Sequence, residues 1–338
     1  RYLKHDKRSS FAYTTLGDMF NPQYSNWENC DQDTSFHYIM KAIECDENDG
    51  NAWMSVWNHA LRRGNDSLER LSLEKLYTTG FYTESVLEFN RWVLKSVPES
   101  SIVITNGDFD TYPALSLQIT EALRNDVTIL NFPMLTLEWY AKMAHERIGI
   151  PLTLEYETVN GNILFLKEGK LLALGCDSLV SHWLKTIQKH SSRPLVFACT
   201  FDQEASSRLQ YPQTFRGAYW YYRYSDIYFE DKNRLDQLIF ENVSPEKLKG
   251  AYTCSTDRSP LRNSLKDDQG LKIVLGGALT VVIDLIDEQD YTRAGIILEK
   301  VNQTAESHRV DSKFMETIHD INTFFKQKIK EAAKDNDN

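Results

Sequence analysis

The stretch Thr105-Asn106-Gly107-Asp108-Phe109-Asp110-Thr111 sets two carboxylates two residues apart beside an amide, a hydroxyl and a glycine. Carboxylate oxygens are hard ligands, so Asp108 and Asp110 suit a cation such as Mg²⁺ or Mn²⁺. Backbone amides at the start of a helix suit an anion. A metal bridging the two acids to a phosphate would meet both demands, with Asn106 or Thr111 orienting the substrate. Such a site needs a third ligand, and Asp202 or Glu204, just after the apolar run Leu195 to Cys199, is the best placed. The competing reading has no chemistry in it: Asp110 or Thr111 caps the following helix, and Asn106-Gly107 supplies a tight turn. The candidate ligand-binding set is therefore Asn106, Gly107, Asp108, Asp110 and Thr111 with Arg193, and the candidate metal set is Asp108, Asp110 and Asp202. Acids gathered this way repel and raise at least one carboxyl pKa unless a cation compensates. Arg193, Arg208 and Arg216 are the basic residues available for that.

Other reactive residues fall into no set. His145, His182 and His190 have no His or Cys partner at ligand spacing, so each reads as a surface or internally satisfied histidine. Cys30, Cys45, Cys176, Cys199 and Cys254 show no C-x-x-C spacing and are odd in number, against a zinc site or a disulfide framework. Gly-x-Ser-x-Gly, phosphate-loop and Gly-x-Gly-x-x-Gly patterns are absent. The run Tyr219-Trp220-Tyr221-Tyr222-Arg223-Tyr224, if extended, alternates its aromatic rings between two faces. It reads as a core strand, with stacking on a sugar or base as the alternative.

The elements that must position these residues follow from periodicity. Ile102 to Thr105 and Val127 to Leu130 are short β-branched apolar runs, as expected of strands buried on both faces. Between and after them, Thr111 to Arg124 and Leu135 to Ile148 carry apolar residues at helical spacing. The β-α-β-α order predicts a parallel sheet. Leu152 to Tyr156, Ile163 to Leu166 and Leu171 to Leu174 are further strands, the last two joined as a hairpin. Leu179 to Gln188 reads as a helix leading past Arg193-Pro194 to the buried strand Leu195 to Cys199. Residues 1–99 read as successive helices. Lys41 to Asn48, Ala52-Trp53 and Arg63-Gly64-Asn65 resemble a junction between tetratricopeptide repeats, and a second such segment runs from Gly80 to Pro98. Leu285 to Val301 resembles one more. The expected architecture is an α/β fold: a Rossmann-like mixed, largely parallel sheet over residues 100–246, flanked by tetratricopeptide-like helices over 1–99 and 247–330, with a disordered tail at 331–338.

A net charge of −10 over 338 residues and a pI near 5.4 argue against a nucleic-acid partner, which would need a basic stripe. The longest apolar run, Ile273 to Ile286, is broken by Gly276, Gly277 and Asp284 and falls short of the roughly 20 residues that span a bilayer, so no membrane span is expected. The chain starts at Arg1 rather than methionine, which is compatible with a leader or anchor preceding it.

Ile104 to Pro113, Leu117-Gln118, Leu123 to Val127 and Leu135 to Tyr140 resemble the soluble C-terminal region of certain large bacterial polytopic membrane proteins. These carry a domain of unknown function and are classed as protein O-mannosyltransferase-like glycosyltransferases. The similarity continues through Ser192 to Ala198, Phe215-Arg216-Gly217 and Asp290-Tyr291, about residues 80–310, with Asn-Gly-Asp-x-Asp-Thr its most specific block. Phe109 stands where an Asn is more usual, and the transferase chemistry is expected in a membrane-embedded half that this sequence does not contain. The resemblance implies an association with cell-envelope glycan biology and a periplasmic or membrane-anchored extracytoplasmic location, the cytoplasm being the alternative. The leading expectation is an accessory or binding protein of the bacterial cell envelope, more binder than enzyme. Its helical repeats would hold a protein partner, and its Asp-bearing loop would bind a small anionic or sugar ligand. The alternatives are a metal-dependent enzyme on a phosphate or glycosyl-phosphate substrate, and a purely structural domain.

Overall fold

A computed structural model describes residues 9–23, 29–150, 156–159, 162–167, 170–174, 183, 186, 193–201, 213–222, 240, 243–249 and 269–336. Among these residues the protein is mostly helical, with a small mixed sheet. It comprises two compact units. The first holds residues 1–83, 112–123 and 253–264, and the second holds 84–111, 124–252 and 265–338.

The first unit is built on helices α1 (Ser10–Phe20), α2 (Gln32–Cys45), α3 (Gly50–Arg62) and α4 (Asp66–Thr78). Each starts where a polar side chain accepts otherwise orphaned amides: Ser9 for α1, Asp31 for α2, Asp49 for α3 and Asn65 for α4. Between them Ile39, Ala42, Ala52, Val56, Trp57 and Leu76 are shut off from solvent. Gly17 lets α1 lie directly on α2, because a Cβ there would stand 2.4 Å from Ile39 Cδ1. The stretches Phe36 to Cys45 and Ala52 to Leu61, which carry apolar residues at helical spacing, lie within α2 and α3, the two helices of one hairpin.

The second unit opens with α5 (Glu84–Ser96), whose Val86, Phe89, Trp92 and Leu94 are all buried. Strand β1 (Ile102–Thr105) follows, then α6 (Asp108–Glu121), β2 (Thr128–Asn131), a 3-10 turn at Pro133–Thr136 and α7 (Glu138–Ile148). Residues of α6 from Tyr112 onward belong to the first unit. Strands β3 (Tyr156–Val159), β4 (Asn162–Lys167) and β5 (Lys170–Leu174) form an antiparallel sheet of their own, with the expected hairpin between β4 and β5. The larger sheet adds β6 (Leu195–Ala198), β7 (Gln213–Phe215) and β8 (Tyr219–Tyr222), in the order β2-β1-β6-β8-β7. Its first three strands are parallel, with Ile102 opposite both Thr128 and Leu195, and β8 and β7 run antiparallel. Tyr219 to Tyr222 is thus a sheet strand, while Arg223 and Tyr224 lie outside the described residues, as do Cys176, Cys254, His182, His190 and most of the stretch Leu179 to Gln188.

A short helix α8 (Pro245–Leu248) and the long helices α9 (Gln269–Asp287), α10 (Tyr291–Ser307) and α11 (Ser312–Asn336) complete this unit. The run Ile273 to Ile286 belongs to a 19-residue helix that is, by length and composition, apolar enough to cross a membrane. Its apolar surface is used inside the protein, since Leu271, Val274, Leu275, Ala278, Val282 and Leu285 are buried. Gly277 allows α9 to approach the turn before β8, where a Cβ would meet Gly217 O at 2.7 Å. The stretch read as a tail from residue 331 is helical through Asn336: Gln327 and Lys328 each bond Glu331, 2.8 and 3.0 Å away, and so support the final turns.

Candidate functional site

Strand β1 is buried along its whole length, so its carboxyl end delivers the chain to the edge of the sheet with no freedom of register. Asn106 and Gly107 then turn the chain into α6. Asp110 points back into this turn, accepting the Asn106 N–H and the Gly107 N–H on separate oxygens, both at 2.8 Å. The Thr200 hydroxyl, two residues beyond β6, donates to the same carboxylate. Asp110 therefore ties the exit of β1 to the exit of the neighbouring strand. The Thr111 hydroxyl donates to Gly107 O at 2.6 Å, accepts from Asn131 Nδ2 at 3.0 Å and lies 2.6 Å from Thr105 Oγ1. Asn131 ends β2, and its own N–H donates to Tyr140 of α7 at 2.9 Å. All three parallel strands are thus joined at their carboxyl ends by side-chain hydrogen bonds.

The start of α6 is completed from α5. Pro113 has no N–H, so it cannot serve the carbonyl four residues back, that of Phe109. The buried Asn90 side chain does so instead, with Nδ2 2.8 Å from Phe109 O and also 2.8 Å from Val86 O.

Two members of the set are left over by this construction. Asn106 and Asp108 are exposed, and Asp108 has no hydrogen-bond or ion-pair partner among the described residues. Its carboxyl is raised above the ordinary Asp value by partial desolvation. Asp110 is also raised, because burial outweighs the Thr200 hydroxyl and the two amides that favour its charged form. Cys199, between β6 and Thr200, has its thiol pushed far up by burial and by the charge of Asp110, which keeps it in the thiol form.

Strands β1 and β6 are neighbours, and the loops after β1, β2 and β6 open on one edge. Arg216 is at that edge too, in the turn before β8, since Tyr219 pairs with Ala198. Asp202, Glu204 and Arg208 lie outside the described residues. Arg193 does not join the set. Its guanidinium donates to Ser100 O at 2.8 Å, Ser101 O at 3.4 Å and Thr128 Oγ1 at 2.6 Å, which places it at the opposite edge, clamping the amino ends of β1 and β2. The reason is its position just before β6, a parallel strand that starts where β1 and β2 start. The expected ion pair is likewise missing: no basic side chain pairs with Asp108 or Asp110 among the described residues. Nor do those residues gather three His, Cys, Asp or Glu side chains as a metal set. Two amides and a hydroxyl already take three of the roughly four lone-pair sites of Asp110, which leaves little of its carboxylate for a cation shared with Asp108.

Thr200, Asn131 and Asn90 escaped the sequence reading. The first two follow or end a parallel strand, and the rule that ligand-facing residues collect there would have found them. His145 is internally satisfied as expected, with Nδ1 2.7 Å from Ile150 O and the Trp183 Nε1 3.3 Å from its Nε2.

Residues 86–162 match the model of a family described as TMEM260-associated domain 2. The matched stretch contains the Asn106–Thr111 turn together with Asn90 and Asn131, the residues that brace it. Comparison with curated proteins and with solved structures gives no match.

Proposed function

We propose that this chain is an accessory binding module of a membrane-associated, glycan-handling system, and that it binds a sugar at the carboxyl edge of its parallel strands through Asp108 and Asn106. The observation that carries this reading is the division of labour between the two acids. Asp110 is consumed in building the turn, whereas Asp108 is exposed and unpartnered among the described residues. A carboxylate beside an amide side chain offers acceptors to hydroxyl donors, which favours a neutral polyol over an anion. The match to a TMEM260-associated domain supports a membrane-protein setting. The resemblance to O-mannosyltransferase-like proteins supports the glycan and the bacterial envelope. The parallel β2-β1-β6 core supports a Rossmann-like reading of the sheet, and the capped hairpins α1 to α4 support tetratricopeptide-like packing that would hold a protein partner.

The test is a panel of monosaccharides and disaccharides, read by the shift in melting temperature of the protein and by saturation-transfer NMR. Wild type is expected to respond to at least one sugar. Asp108→Asn should lose that response with its own melting temperature unchanged. A panel that leaves wild type unmoved, or an Asp108→Asn variant that responds equally, overturns the proposal. The purely structural reading draws on the internal network around Asp110 and Thr111. It predicts instead that every substitution in the turn acts on stability alone.

A further inference from the structure

His59 lies on the inner face of α3, 2% exposed, in a group that the sugar site does not use. Its Nε2 is 3.0 Å from Ser35 Oγ, and the Ser35 hydroxyl donates to Gly17 O at 2.7 Å. A hydroxyl has one proton and a carbonyl oxygen has none to give. Ser35 therefore spends its proton on Gly17, and the bond to His59 requires the proton to sit on Nε2. That leaves Nδ1 as a bare acceptor, buried and without a partner among the described residues. The relay His59–Ser35–Gly17 links α3 through α2 to α1 in a single file of hydrogen bonds.

The same geometry makes the link intolerant of acid. A second proton on Nδ1 would create a buried cation whose new N–H has no acceptor among the described residues. The charges around it do not offset this. Arg62 ends α3 and Arg63 caps it, and the Arg63 guanidinium sits 4.7 Å from the ring centre of Phe36, which packs edge-on with His59. Asp33 on α2 is, among the described residues, the acid that favours the cation, and Arg63 holds it at 2.6 Å. Asp18 on α1 is engaged by Ser55 at 3.0 Å.

We propose that the packing of α1 onto α2 and α3 is an acid-sensitive latch, closed while His59 is neutral and released when it takes up a proton. Burial first, and then Arg63 and Arg62, hold the imidazole down to about 4 from its ordinary 6.5. An opened state, in which His59 titrates normally, binds the proton more tightly. Opening should therefore be fully suppressed above pH 6.5 and should grow as pH falls from there toward 4. Between pH 7 and pH 5 the opening constant should rise on the order of 20-fold, worked from those two values.

The test is amide hydrogen exchange of α1 in the full chain at both pH values, with the intrinsic exchange rate divided out. Wild type should lose protection in α1 by about that factor, and His59→Gln, which keeps a donor for Ser35 but cannot titrate, should not. Should His59→Gln fail to fold, nitrogen NMR of the His59 ring in wild type decides the matter. A proton on Nε2 at pH 7 and no titration above pH 5 support the latch. A proton on Nδ1, an ordinary titration near 6.5, or α1 protection that does not change with pH overturns it.

Discussion

Removing the Asp110 carboxylate gives a quantitative test of the claim that this acid builds the turn. Asp110→Ala deprives the Asn106 N–H, the Gly107 N–H and the Thr200 hydroxyl of their acceptor at once. Each such bond contributes about 1 kcal/mol net, and bonds to a charged acceptor contribute more. Water can re-solvate the two amides, since Asn106 is exposed and Gly107 partly so, which holds the loss near about 3 kcal/mol. The burial that raises the carboxyl's pKa is relieved by the same substitution and offsets part of that loss. The net destabilisation should be about 2 kcal/mol. With a urea slope of about 3 kcal/mol per molar, the midpoint falls by roughly 0.7 M. Asp110→Asn, which keeps one acceptor oxygen and sheds the charge, should lose about half as much. Urea unfolding followed by tryptophan fluorescence, with exchange rates at the Asn106 and Gly107 amides, measures both effects. A midpoint for Asp110→Ala within about 0.2 M of wild type, with those amides exchanging no faster, would refute the assignment of Asp110 to the turn.

Three further outcomes are expected. Arg193→Ala should cost about 1–2 kcal/mol through its lost bonds to Ser100, Ser101 and Thr128, with no effect on any ligand response at the far edge of the sheet; a urea curve and a sugar titration check the two halves of that statement. Gly277→Ala should destabilise by about 1–3 kcal/mol, because its methyl would press to 2.7 Å from Gly217 O, and the melting temperature reads this directly. Asp126 is held well below its ordinary value of 3.8 by the Arg124 guanidinium and by the Ser100 amide. Its stabilisation is full above pH 3.8 and is lost as pH falls from there, so Asp126→Asn should flatten the acid limb of a pH–stability profile.

The sheet core could be read from the sequence because Ile102 to Thr105, Val127 to Leu130 and Leu195 to Cys199 are runs that only a strand buried on both faces accounts for. The carboxyl edge followed from their order. Arg193 was misplaced because nearness in sequence to a strand does not say which end of it a side chain serves. The helix after the turn starts at Asp108 rather than Thr111, since Asp110 reaches back to cap residues already inside the turn. Asn90 and His59 carry no local signature. Each matters through a partner far along the chain, Phe109 in one case and Ser35 in the other, and periodicity reports faces of helices rather than such pairings.

Strand β6 enters the sheet beside β1, not beside β2, so the described residues between Asn131 and Leu195 lie outside this sheet and the chain returns to its middle at β6. The return is registered before the strand begins. Ile102 N–H donates to Pro194 O at 2.7 Å, and Arg193 grips the neighbouring chain ends. Closing such an excursion costs only about 0.6 kcal/mol more for each doubling of its length. The fold thus has a landing point that does not depend on what the excursion contains. Segments could be gained, lost or exchanged between the end of α7 and Arg193 with the turn at Asp110, and its brace from Tyr140 through Asn131, left intact.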